Sequence, residues 1–213
     1  AEEMKLAGGL ITKEDLAKYT ATIRTPIHGT YRGYDIYAPP PPSSGGTALV
    51  EMLNVLENYD LARQGRTSPA TTHQMIESMR HAYFDRAMTV ADPAFADVPV
   101  ARLTSKAYAK ELATSFAADL ATKSDVLGKD VLVHAEGEST THFSIVDCDG
   151  NAVANTYTLQ DSYGSYVVVR GAGFLLNNEM TDFNLQPGVT DRKGRIGTDA
   201  HLVAPHKRIL SSQ

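Results

Sequence analysis

Thr140 and Thr141 stand where a polar run, Ala135-Glu136-Gly137-Glu138-Ser139, gives way to the β-forming residues His142 to Asp147. A threonine hydroxyl is a poor nucleophile at neutral pH and needs a base beside it. A freed α-amino group on the same residue can be that base. This layout suits a nucleophile that becomes a new N-terminus when the chain cuts itself. Thr140 is the candidate nucleophile, and Ser139–Thr140 is the candidate scissile bond.

Positioning such a residue falls to a hairpin. Asp147-Cys148-Asp149-Gly150-Asn151 is a turn signal between two alternating β runs. A turn centred near Asp149 makes paired positions sum to about twice 149, which sets Thr140 opposite Thr158. Cross-strand neighbours have Cβ atoms about 4.5–5.5 Å apart, so the two hydroxyls come within reach. The period of two then puts Gln160 on the same face as Thr158. A one-residue slip would undo the arrangement. Threonine pairs are also common in strands that do no chemistry, and spacing alone leaves that bland reading open.

The elements around this hairpin follow from local signals. Thr12, with a carboxylate at Asp15, predicts a short helix starting at Lys13. Residues Ile23 to Tyr37 predict paired strands, with turn signals at His28-Gly29 and Arg32-Gly33. Pro39 to Gly46 excludes helix or sheet interior. A helix is expected over Thr47 to Tyr59, with Leu49, Met52, Leu53 and Leu56 as its apolar stripe. A longer one is expected over Thr71 to Met88, striped by Met75, Ile76, Met79, Ala82 and Tyr83 and stopped at Ala91-Asp92-Pro93. Ser105 to about Ala121 reads as a third helix, and Lys123 to Ser139 as a loop. Strands are expected over Thr141–Asp147, Ala152–Leu159 and Val167–Leu176.

The composition narrows the class. A chain of 213 residues has room for one substantial core or two small domains. With 42% hydrophobic and 21% charged residues and a net charge of −5, it is an ordinary globular composition without a basic patch for nucleic acid. No apolar run reaches the roughly 20 residues needed for a helix to span a bilayer. The one cysteine, Cys148, cannot form an internal disulfide, and it has no neighbouring base that would make it a catalytic thiol. His73 and His81 lie eight residues apart, too far for one ion, and His201 and His206 have no evident third ligand, so no zinc site is expected. His142 is given a structural role. The first residues read as the middle of a helix, and both ends read as cut, as in an internal piece of a longer protein.

Five stretches, in order, carry a resemblance. They are Pro40-Pro41-Pro42-Ser43-Ser44-Gly45-Gly46, Thr140-Thr141-His142-Phe143-Ser144, Thr156-Tyr157-Thr158-Leu159, Leu175-Leu176-Asn177-Asn178-Glu179-Met180-Thr181-Asp182-Phe183 and Lys207-Arg208-Ile209-Leu210-Ser211-Ser212. Together they resemble the γ-glutamyltranspeptidases. The resemblance implies an α+β fold, the αββα sandwich of the N-terminal-nucleophile hydrolases, present here in part. It also implies one precursor cut into two subunits. Residues 1–139 would end the large subunit and 140–213 would begin the small one.

Carried over by position, Thr140 is the nucleophile and Thr158 the hydroxyl that supports its amine. Gln160, Glu179 and Asp182 fall where the family binds the substrate's α-amino end, and Ser211 and Ser212 where it holds the α-carboxylate. Gln160 departs from the asparagine common at that position. The family's oxyanion glycines lie downstream of Gln213 and its carboxylate-binding arginine lies upstream. Loss of oxyanion donors alone costs on the order of 10²–10³ in rate.

The implied reaction is γ-glutamyl transfer from glutathione and related amides to water or an amino acid, with no cofactor or metal. The implied compartment is periplasmic or extracellular. Two alternatives stand beside it: a cephalosporin or glutaryl acylase of the same architecture, and a non-catalytic, unprocessed fragment.

Overall fold

The computed structural model describes residues 1–127, 140–183 and 199–210. In chain order these form α1 (Glu2–Leu6), α2 (Lys13–Lys18), β1 (Ile27–Tyr31), β2 (Tyr34–Ala38), α3 (Gly45–Leu56), α4 (Leu61–Gln64) and α5 (Pro69–Thr89). There follow α6 (Val100–Leu103), α7 (Lys106–Ser115), α8 (Ser124–Leu127), β3 (Thr141–Val146), β4 (Ala152–Tyr157), β5 (Val168–Val169) and β6 (Phe174–Leu175). Two 3₁₀ turns lie at Glu179–Asp182 and Asp199–His201. The strands pair antiparallel as β1–β2, β3–β4 and β5–β6. Packing divides the chain into two units, residues 1–23 with 135–181 and residues 24–134 with 182–213.

The second unit is built on α3, α5 and α7 with the β1–β2 hairpin. Ser68 and Ser105 cap α5 and α7 by accepting from Thr71 N and Tyr108 N, and Pro69 occupies the first turn of α5, where no amide donor is needed. β1 runs against α3 so closely that a Cβ on Gly29 would sit 2.7 Å from Val50 Cγ1. That contact explains a correction. His28-Gly29 is strand interior, its glycine serving close packing, and the turn falls at Arg32-Gly33 alone. Gly45 and Gly46 likewise belong to α3, and position 46 takes glycine because a side chain there would meet Pro39 O.

Of the apolar stripes expected on α3 and α5, only Ala82 is fully buried. Leu49, Met75, Ile76, Met79 and Tyr83 stand 42–49% exposed. The buried residues include Thr47, Val50, Glu51, Asn54 and Val55 on α3, and Thr71, Glu77, Ser78, Ala82 and Asp85 on α5. Hydrogen bonds hold this polar interior. Tyr108 Oη donates to Asp85 Oδ2 at 2.5 Å, Asn54 Nδ2 to Thr104 O at 2.8 Å, and Arg80 Nη1 to Glu77 Oε1 at 2.6 Å. Helical spacing identifies the helices but does not choose the face.

α7 stops at Ser115, short of the expected Ala121. The Thr114 and Ser115 hydroxyls donate back to carbonyls of the last turn, and Phe116 turns extended. α8 lies inside the stretch expected to be loop.

In the first unit, Thr12 caps α2 in a capping box with Asp15, as its spacing predicts. The strand expected over Val167–Leu176 is a hairpin instead. Gly171 (φ 79°) and Gly173 (φ 75°) reverse the chain between β5 and β6.

Candidate active site

The β3–β4 hairpin owes its register to its turn. Asp147 Oδ1 accepts from Asp149 N (3.0 Å) and Asn151 N (2.9 Å), and its Oδ2 accepts from Asn151 Nδ2 (2.8 Å). These bonds, that of the Asn151 side chain first, hold the Asp147 carboxyl below the usual carboxylate range. Gly150 takes φ 83°. The strands then pair Val146 with Ala152 through to Thr141 with Tyr157, the register the turn chemistry predicts.

One step further, at the open end, Thr140 Oγ1 donates to Thr158 Oγ1 across 3.3 Å. The next rung on that face is polar too. His142 bridges Thr156 Oγ1 (2.8 Å from Nδ1) and Ser144 Oγ (3.2 Å from Nε2). Cys148 lies exposed in the turn.

The period-two argument for Gln160 does not carry beyond Tyr157, where β4 ends. Gln160 has φ 74°, a left-handed backbone, and its N–H donates to Thr158 Oγ1 at 3.0 Å. Thr158 therefore receives both the Thr140 hydroxyl and the Gln160 amide. Glu179 and Asp182 are the first and last residues of a 3₁₀ turn. Ser139, Ser211 and Ser212 lie outside the described residues.

Two supports escaped the sequence reading. Asp161 and Asn178, seventeen residues apart, bond to each other twice. In the second unit, buried Asp92 receives Arg208 N at 2.8 Å, and buried His201 bonds Val90 O at 2.7 Å. Burial pushes the His201 pKa down. These contacts tie residues 199–210 to the end of α5. The Asn177-Asn178 pair was a visible signal for the first support, and Asp92-Pro93 a weaker one for the second. Among the described residues, no group of three or more His, Cys, Asp or Glu side chains is placed to hold a metal.

The family model described as Gamma-glutamyltranspeptidase matches residues 1–213. The chain is similar to the glutathione hydrolase proenzyme of Escherichia coli K12, 49% identical over 212 residues, which cover 100% of this chain and 37% of that protein. It is also similar to the acylase ACY 1 proenzyme of Pseudomonas sp. strain SE83, 42% identical over 98% of this chain and 35% of that one. It thus spans a little over a third of the length of such relatives.

Among solved structures, a cephalosporin acylase from Bacillus halodurans aligns with TM-score 0.75 at 28% identity, covering 99% of this chain and 35% of that one. The Helicobacter pylori γ-glutamyltranspeptidase aligns with TM-score 0.57 at 47% identity, covering 58% and 36%. The fold is the α+β, N-terminal-nucleophile-hydrolase type expected from the sequence, held here in part.

Proposed function

The chain belongs to the γ-glutamyltranspeptidase family, and from that membership we propose that it carries the nucleophile region of a self-processing γ-glutamyl acyltransferase. Cleavage between Ser139 and Thr140 makes residues 1–139 the end of a large subunit and 140–213 the start of a small one. The observation that carries this reading is the Thr140–Thr158 hydroxyl pair, 3.3 Å apart at the open end of a hairpin with a fixed register. The word proenzyme in the names of the relatives agrees with it.

In the first step Thr140 Oγ1 attacks the γ-carbonyl of glutathione or a related amide. Its proton passes through the freed Thr140 α-amine to the departing amine as the C–N bond breaks. In the second step water or the amine of an acceptor amino acid attacks the glutamyl ester. The product leaves and the Thr140 hydroxyl returns. Thr158 Oγ1 orients the nucleophile. Gln160, Glu179 and Asp182 receive the substrate ammonium, and Ser211 and Ser212 its carboxylate. Acceptor oxygens suit the first and hydroxyl donors the second.

The likeness to acylases supports a second reading, an amidase for glutaryl side chains that lack the α-amine. The acidic pair Glu179 and Asp182 favours the glutamyl substrate. Competing γ-glutamyl and glutaryl anilides against each other, with Thr140→Ala as control, separates the two. The γ-glutamyl compound is expected to turn over faster. Exclusive turnover of the glutaryl compound overturns the substrate assignment, and turnover surviving in Thr140→Ala overturns the mechanism.

A further inference from the structure

Asn178 has no part in the roles assigned above, yet it is among the most heavily bonded residues of its unit. Its Nδ2 donates to Asp161 Oδ2 at 2.6 Å, and its Oδ1 accepts from Asp161 N at 3.1 Å. Its own N–H donates to Leu159 O at 3.2 Å, and its carbonyl accepts from Thr181 N and Thr181 Oγ1. Its side chain therefore grips Asp161 and its main-chain N–H holds Leu159 O, while its carbonyl starts the turn that carries Glu179.

We propose that the reciprocal Asp161–Asn178 pair is a positioning device, setting the amine-recognition residues Gln160 and Glu179 against the nucleophile hairpin; this rests on the function proposed above. Three observations carry it. Gln160 lies between Thr158 and Asp161 in a left-handed backbone that a non-glycine residue holds only when its surroundings impose it (φ 74°). Both flanks are pinned, one by Gln160 N on Thr158 Oγ1 (3.0 Å) and the other by Asp161 N on Asn178. Thr158 Oγ1 is also the acceptor for Thr140 Oγ1, so a path of three hydrogen bonds and the Gln160–Asp161 peptide link runs from the nucleophile to Asn178, the residue before Glu179.

A second brace holds the two segments side by side. Ser165 N and Oγ both donate to Leu176 O, at 2.9 and 3.0 Å. The pair thus sets where the ammonium pocket stands relative to the attacking oxygen. It touches neither substrate nor reacting atoms.

The test exploits the side-chain bond of the pair, whose donor and acceptor can be exchanged. Asn178→Asp sets two carboxylates face to face and removes the donor. The swap Asp161→Asn with Asn178→Asp restores the side-chain bond with its roles exchanged, while the main-chain N–H of residue 161 keeps an oxygen of residue 178 as its acceptor. In protein expressed from its complete reading frame, Asn178→Asp is expected to raise KM for a γ-glutamyl anilide about tenfold. Self-cleavage and kcat should stay within about threefold. The Ki of L-glutamate should rise in step with KM, whereas glutarate, which has no ammonium to position, should bind as before.

The swap should return KM to within about threefold of the unaltered protein. An unchanged KM in Asn178→Asp, or a swap that leaves KM raised, overturns the positioning role. Thr140→Ala run alongside keeps the premise separate. Turnover that survives there overturns the proposed function itself, and turnover lost there with Asn178→Asp unaffected overturns only the positioning pair.

Discussion

Replacing Glu51 by glutamine should make the protein more stable at neutral pH. Glu51 on α3 is 1% exposed and faces Asp85 on α5, itself 8% exposed. The Tyr108 hydroxyl donates to Asp85, and the Arg102 guanidinium lies 4.0 Å above the Tyr108 ring. Burial first, then the charge of Asp85 and a hydrogen bond to it, push the Glu51 carboxyl up to about 9, with Arg102 opposing weakly. Folding therefore favours the protonated form. The stability Glu51 contributes is fully present below its unfolded pKa of 4.5 and drains away as pH rises to about 9.

Each pH unit in that window costs roughly 1.4 kcal/mol, so the loss at pH 7 is on the order of 3 kcal/mol. Glutamine keeps the shape and a donor toward Asp85 but cannot ionise. Urea unfolding followed by circular dichroism at pH 5, 7 and 8.5 reads the effect. Glu51→Gln should lie within about 1 kcal/mol of the unaltered protein at pH 5 and exceed it by a margin that widens with pH. Parallel stability profiles for the two proteins would refute the buried carboxyl pair.

Three further substitutions probe the supports of the site. Thr158→Val keeps the side-chain volume but removes the oxygen that receives Thr140 and Gln160; turnover of a γ-glutamyl anilide should fall about 10–100-fold with unfolding changed by less than about 1 kcal/mol. Gly164→Ala should destabilise by at least about 2 kcal/mol in thermal unfolding, because φ is 52° and the new Cβ would lie 2.2 Å from Leu176 O. Asp92→Ala removes the acceptor for Arg208 N and Ala94 N; hydrogen exchange at the Arg208 amide should accelerate, while exchange along α5 before Val90 stays as it was.

What the sequence made legible was local. The Thr12 box is a cap whose chemistry is complete within four residues, and α2 begins where it says. α7 likewise begins at its Ser105 cap, whereas the cap at Ser68 went unread and α5 starts two residues ahead of the expected Thr71. The turn at Asp147–Asn151 fixes a register that arithmetic carries to Thr140 and Thr158. Contacts between distant residues were not legible in this way. The choice of buried face on α3 and α5 depends on partners such as Tyr108 and Thr104, more than twenty residues away from the groups they hold. Gly29 looked like a turn because only packing against Val50 explains it. Gln160 escaped the strand period through a left-handed backbone, and its stabilising neighbour Asn178 lies eighteen residues further on. In each of these cases the deciding partner is far along the chain, where neither propensity nor period reaches.

The central claim is that Thr140 becomes an N-terminal nucleophile by the chain's own action. Intact-mass measurement of the purified protein, fresh and after a day at neutral pH, tests it directly. Two fragments that together weigh the parent plus one water are expected, broken between Ser139 and Thr140, with Thr140→Ala remaining whole. A break elsewhere, or cleavage that persists in Thr140→Ala, would contradict it.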